Sequence, residues 1–164
     1  MSRGVPTWAY VLLAAGLLIA TIHVYQDLFA PLTLQITVLD VGEKSSATIL
    51  RLPSRQVVLI DTGKDASILR ALGTTLPEWQ RSIDAVVLTS NKKPYAGGLT
   101  DVTARYRIRH IYASSTDLVF SGVVRLSIDS PGTYTLSYNK ASVSFSSTSP
   151  HGEYVSDGQV FINK

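Results

Sequence analysis

The chain has 164 residues, 45% of them hydrophobic and 16% charged, with a formal net charge of +3. It carries three His and no Cys, which excludes a disulfide scaffold and all thiolate chemistry. The apolar content excludes disorder, and the mild charge does not mark a dedicated nucleic-acid binder.

Charge falls below the usual quarter of residues, which points to a membrane segment or an unusually covered surface. The run Trp8–Ile22 carries no charge, and His23, Val24 and Tyr25 lengthen it. At ~1.5 Å per residue it spans about 27 Å, close to the ~30 Å hydrocarbon core of a bilayer. Trp8, Tyr10 and Tyr25 lie near its ends, where amphipathic rings favour the headgroup level, and Asp27 follows. A cleaved signal peptide competes with this reading, but small residues before a cut site are missing: Leu28 precedes Phe29-Ala30, and Leu18 precedes Ala20. An uncleaved anchor is therefore expected, over about 8–25 within an N-terminal segment 1–31. Arg3 flanks one side, and the next basic residue is Lys44. The N-terminus is thus expected in the cytoplasm and the rest on the exoplasmic side of the cell membrane. Ala9, Gly16 and Ala20 share one helical face, a small-residue stripe that admits a second helix. Such residues are common in membrane helices, so the stripe alone does not decide for a helix partner.

Residues 32–164 alternate strands and helices. Leu34–Val41, Ala47–Leu52 and Gln56–Ile60 read as strands with a tight connection at Pro53-Ser54-Arg55. A helix follows, capped by Asp65, with Ile68, Leu69, Leu72 and Leu76 on its apolar face and Gly73 and Pro77 at its end. Ile83–Thr89 is nearly all apolar, as in a strand covered on both faces. Gly97-Gly98 opens a short helix to about Tyr106, and Arg107–Ala113 is another strand. The remainder reads as Ser/Thr-rich antiparallel strands with one solvated face: VVRLSI, TYTLSY, ASVSFSS and QVFIN. The fold class is α/β (α+β), with a β-rich C-terminal part.

The succession TVLDVG (37–42), VVLIDTG (57–63), ILRALGTTLPEWQRSIDAVVLTS (68–90) and AGGL (96–99) resembles the metallo-β-lactamase-like domain of ComEC-type DNA-uptake proteins. The resemblance covers roughly residues 34 to 113. It implies a domain of two similar halves, of which the second is much reduced here. It also implies a metal site, built in the family on Thr-His-x-Asp/His-x-Asp-His-x-Gly-Gly. Here the four ligand positions hold Ser90, Lys92, Pro94 and Tyr95. A weak hydroxyl, an ammonium, no donor and a phenol do not hold a divalent cation, which needs several good donors at about 2 Å. The family's acidic turn survives as Asp40-Val41-Gly42 and continues differently, with Glu43, Lys44 and Ser45. His110 falls in an expected strand and His151 in a loop. The resemblance thus implies a scaffold kept after its metal chemistry was lost, with no cofactor.

Asp61 and Asp84, at strand ends, are candidate general bases. Without a metal or a partner His they are better read as turn caps or ion-pair partners. Lys92 or Lys93 is expected to neutralise Asp40 or Asp61, a cation standing where a cation once bound. Arg105, Arg107 and Arg109 would share one strand face, a basic ridge for an anionic partner or an ordinary solvated face with packed stems. Ser90, Ser114 and Ser115 lack a nucleophile elbow and a nearby His. The expected function is that of a non-catalytic subunit, a pseudoenzyme docked on a larger integral membrane protein complex. The alternatives are a nucleic-acid-binding accessory of DNA uptake, less favoured, and a residual hydrolase with a relocated site.

Overall fold

The computed structural model describes residues 7–28, 33–42, 45, 47–113, 117–120, 122–146 and 152–163. Arg3, Lys44, Ser114, Ser115 and His151 lie outside the described residues, as do the side chains of His23 and Tyr25. The chain divides into two compact units, Met1–Pro31 and Leu32–Lys164.

The first unit contains one helix, α1 (Thr7–Leu28). Its described side chains run from Trp8 to Ile22, about 22 Å of helix at ~1.5 Å per residue. Large apolar groups there, such as Leu12, Leu17 and Ile19, are exposed. Among the described residues no helix is long and apolar enough to cross a membrane. A Cβ added at Gly16 would meet nothing within 4 Å.

The second unit runs β1 (Leu34–Val38), β2 (Thr48–Arg51), β3 (Val57–Ile60), α2 (Ser67–Thr75), β4 (Ser82–Leu88), α3 (Lys93–Ala96), α4 (Leu99–Arg105) and β5 (Arg107–Ala113). It continues through β6 (Asp117–Phe120), β7 (Val124–Ser130), β8 (Thr133–Tyr138), β9 (Ala141–Ser146), β10 (Gly152–Ser156) and β11 (Phe161–Asn163). One sheet has seven strands in the order β11-β10-β1-β2-β3-β4-β5, and a second has four, β6-β7-β8-β9. The pairs β3–β4 and β4–β5 are parallel and the rest antiparallel. Parallel neighbours need crossovers, and α2 and the α3–α4 pair supply them.

Two cores cover the two faces of the large sheet. Val57, Leu59, Val86 and Leu88 pack with Ile68, Leu72 and Val102 of the helices. Val58, Ile60, Ala85 and Val87 pack with Leu126, Tyr134, Leu136 and Phe145 of the small sheet. This double burial is why β3 and β4 read as unbroken apolar runs. The small sheet buries alternate residues of β8, Tyr134, Leu136 and Tyr138. Thr133, Thr135 and Ser137 point the other way, which explains the Ser/Thr-rich tail. The layers are therefore helices, sheet and sheet.

Three expectations are corrected. The helix does not end at Gly73; α2 runs through it and stops at Leu76, which is extended (ψ 142) ahead of Pro77. Asp65 is not its N-cap residue, although its carboxylate accepts the Ser67 N–H at 2.9 Å. Arg105 closes α4 and is not in a strand, so the three arginines do not form one strand face.

Candidate functional site

Ser90, Lys92, Pro94 and Tyr95, the positions where the sequence resemblance would place metal ligands, lie beyond the C-terminal end of β4. Ser90 is buried, and its Oγ accepts the Lys92 N–H at 3.3 Å. Lys92 is extended, and its carbonyl accepts the N–H groups of Tyr95 and Ala96 at 3.0 and 3.1 Å. Pro94 sits in the first turn of α3, where a missing N–H costs little. The Tyr95 carbonyl accepts both the N–H and the hydroxyl of Thr62, at 2.6 and 3.1 Å. This loop is thereby tied across the end of β3.

Gly97 and Gly98 stand where no side chain fits. A Cβ at Gly97 would collide with the Lys64 carbonyl, and one at Gly98 with the Thr62 carbonyl. Both contacts are with backbone, which cannot swing aside. The Tyr95 ring lies against Gly132 in the β7–β8 turn, where φ is +74° and a side chain would strike that ring. A phenol and a hairpin turn thus close over this end of the sheets.

Beneath them lies a buried polar group. Asp61 follows β3 with a left-handed backbone (φ 56), and its N–H donates to the Val87 carbonyl at 2.8 Å. Its side chain is fully buried. The Thr89 N–H donates to its Oδ1 at 2.8 Å, and the Thr89 hydroxyl lies 2.8 and 3.0 Å from its two oxygens. The Gly132 N–H in turn donates to Thr89 Oγ1 at 2.9 Å. Burial pushes the Asp61 carboxyl up to about 7, against the opposing effect of the Thr89 hydrogen bonds. Nearby, the buried Tyr134 hydroxyl donates to Thr48 Oγ1 at 2.6 Å. Burial raises this phenol too, and the Asp61 charge adds to the shift. These contacts pin the hairpin of the small sheet to the end of the large one.

Lys92 and Lys93 do not neutralise Asp61. Both are exposed, and the groups that act on Asp61 are its burial and Thr89. Lys93 instead helps, after Ser67 and Lys64, to hold the exposed Asp65 carboxyl below its usual range. Asp40 accepts the Gly42 N–H at 3.1 Å, a local turn contact. Asp84 accepts the Val57 N–H at 2.9 Å and pairs with Arg109 at 3.4 Å. It lies within β4 and not at a strand end, satisfies the first N–H of β3, and is engaged as an ion-pair partner. The donor set at Ser90, Lys92, Pro94 and Tyr95 does not fit a divalent cation. Among the described residues no three His, Cys, Asp or Glu side chains gather as a metal site would require. Asp61 has no accessible surface from which to take a substrate proton.

The arginines separate into two places. Arg109 borders a cavity of about 250 Å³ with Asp84, His110 and Tyr112. Arg105 and Arg107 line a groove of about 500 Å³ with Trp79, Arg81 and Ser82. Trp79 and Arg81 carry no periodic signal in the sequence. The hint is an indole and a guanidinium between a helix end and a strand. Thr89 was also unmarked, because its role depends on Gly132, far along the chain.

These layers and this strand order make the chain a strand-rich mixed α/β protein. No family model matches it, and no curated protein matches it. Among solved structures it is similar to a new diphosphatase from the PhnP family, with a TM-score of 0.46 and 15% identity. The match covers 67% of this chain and 63% of that one, less than two thirds of its length. So loose a likeness carries no argument, and the fold class rests on the topology itself.

Proposed function

We propose that the chain is a non-catalytic accessory subunit of a membrane protein complex, built on a degenerate metallo-β-lactamase-like domain. The closed end of the sheets carries this reading. Tyr95 lies on Gly132 there, and Asp61 is sealed beneath Thr89. Such an arrangement supports a scaffold better than a reaction centre built on Asp61, because that carboxyl has no accessible surface. The metallo-β-lactamase-like reading is supported by four ordered sequence motifs and by β3 and β4 joined in parallel through α2.

In this reading α1 is the membrane anchor, with the N-terminus cytoplasmic and the domain exoplasmic. Its exposed leucines and isoleucines then face lipid, and the Ala9, Gly16 and Ala20 face meets a neighbouring helix. The test is native extraction in mild detergent, followed by identification of what co-purifies. A defined complex containing this chain is expected. Recovery of monomer alone would overturn the proposal.

A second reading is a nucleic-acid-binding accessory of DNA uptake. Trp79 beside Arg81, Arg105 and Arg107 favours it, since bases stack on indoles and phosphates pair with guanidinium groups. It predicts binding of single-stranded DNA that weakens steeply with salt. No binding at low salt would exclude it.

A further inference from the structure

The large sheet has two unlike ends. Strand directions place them: β1 is antiparallel to β2, β2 to β3, and β3 is parallel to β4 and β5. Leu34, Val57, Ser82 and Arg107 therefore begin their strands at one common end. The closed cleft with Asp61 and Tyr95 lies at the opposite end. The β8–β9 turn belongs to the first end, because the Lys140 N–H donates to the Gly158 carbonyl at 3.1 Å, between Ser156 and Phe161. The β6–β7 turn joins it, since Val124 pairs with Tyr138.

This end exposes large apolar side chains on three separate turns. Trp79 is 78% exposed, Val160 61% and Val123 45%. It is also basic. Arg81, Arg105 and Arg107 border the Trp79 groove, and Lys140 and Arg55 lie on neighbouring turns. Glu78 and Asp157 are the acidic residues among these turns, apart from Asp84, which pairs with Arg109. The chain enters the domain here, at Leu34, six residues after α1 ends at Leu28.

We propose that this end of the domain docks on the anionic headgroups of a phospholipid bilayer. Trp79, Val123 and Val160 enter the interfacial layer, and the arginines of the groove pair with lipid phosphates. An indole flanked by guanidinium groups suits that layer, which is apolar on one side and wet and negative on the other. The entry of the chain at this same end favours lipid over nucleic acid. The preference for lipid over nucleic acid rests on the anchor reading of α1, the docking surface itself does not, and the test separates the two.

The full chain is placed in nanodiscs of phosphatidylcholine alone or mixed with phosphatidylglycerol, with and without brominated lipid. The chain has two tryptophans, so W8F leaves Trp79 as the probe and W79F leaves Trp8. Quenching of Trp79 by brominated lipid is expected in anionic discs, and much less in zwitterionic ones. Each basic residue near an anionic surface is worth about fivefold in partitioning, so R81Q/R105Q/R107Q should weaken docking about a hundredfold. The lysine triple, R81K/R105K/R107K, should retain docking and shows that the loss is of charge and not of fold. Quenched Trp8 with unquenched Trp79 overturns the docking proposal and leaves the anchor standing. Quenched Trp79 with unquenched Trp8 supports docking and overturns the anchor. Trp79 that responds to a single-stranded oligonucleotide and ignores lipid overturns docking in favour of nucleic acid.

Discussion

At the scale of single residues, Asp61 sets a pH dependence. Its carboxyl titrates near 7 in the folded chain against an ordinary value of 3.8. Between those values the folded state holds a proton that the unfolded state has released. The contribution of Asp61 to stability is therefore greatest below about pH 4, declines as pH rises to about 7, and is flat above it. The whole decline amounts to about 4 kcal/mol at most. Asp61→Asn keeps an acceptor for the Thr89 N–H and cannot ionise. Denaturant unfolding from pH 4 to 8 should show the variant gaining on the parent as pH rises. Parallel profiles would mean that burial does not govern this group.

At the scale of elements, the glycines of α2 and of the 90–98 loop make a contrast. Gly73 lies inside α2 with nothing within 4 Å of an added Cβ. Gly73→Ala should stabilise the chain by about 0.5–1 kcal/mol, as removal of helix-interior glycine usually does. Gly98→Ala forces a methyl against the Thr62 carbonyl and should cost more than about 2 kcal/mol. Thermal melts of both variants check the pair, and equal shifts would contradict the packing of that loop. Elements with local signals were legible in the sequence. The apolar period gave α2, and the continuous run gave β4. By contrast, β6 has only four residues and β10 reads GEYVS, with little apolar pattern. Both owe their pairing to distant strands, so no local window reveals them. The same holds for the site. That Ser90, Lys92, Pro94 and Tyr95 make a poor donor set for a divalent cation was plain from residue chemistry. That Tyr95 meets Gly132, and Thr89 ties to the same turn, was not, because the partner lies in the other sheet.

At the scale of the whole domain, one sheet serves two cores. Leu72 packs on its helix side and Leu136 on its small-sheet side. Since β3 and β4 contribute to both, the two layers are expected to unfold together. Leu72→Ala and Leu136→Ala should each cost about 2–5 kcal/mol and shift the same single transition. Two resolved transitions in either variant would show that the small sheet melts alone. The fold class was legible at this scale, because α/β alternation followed by a Ser/Thr-rich strand series admits few layer arrangements. The assignment of the two ends was not, since it depends on strand direction.

The pairing of β1 with β10 carries a temporal consequence. Leu34 opens the domain and lies opposite Ser156, near its close. During synthesis, one edge of β1 waits for almost the whole domain to be made. Sheet closure is thus a late, long-range event, and long-range pairing is slow because the intervening loop must be closed first. A nascent chain exposes that unfinished edge for most of its elongation, and unpaired strand edges invite aggregation. The interval between the synthesis of β1 and the arrival of β10 is when this chain has most need of a chaperone.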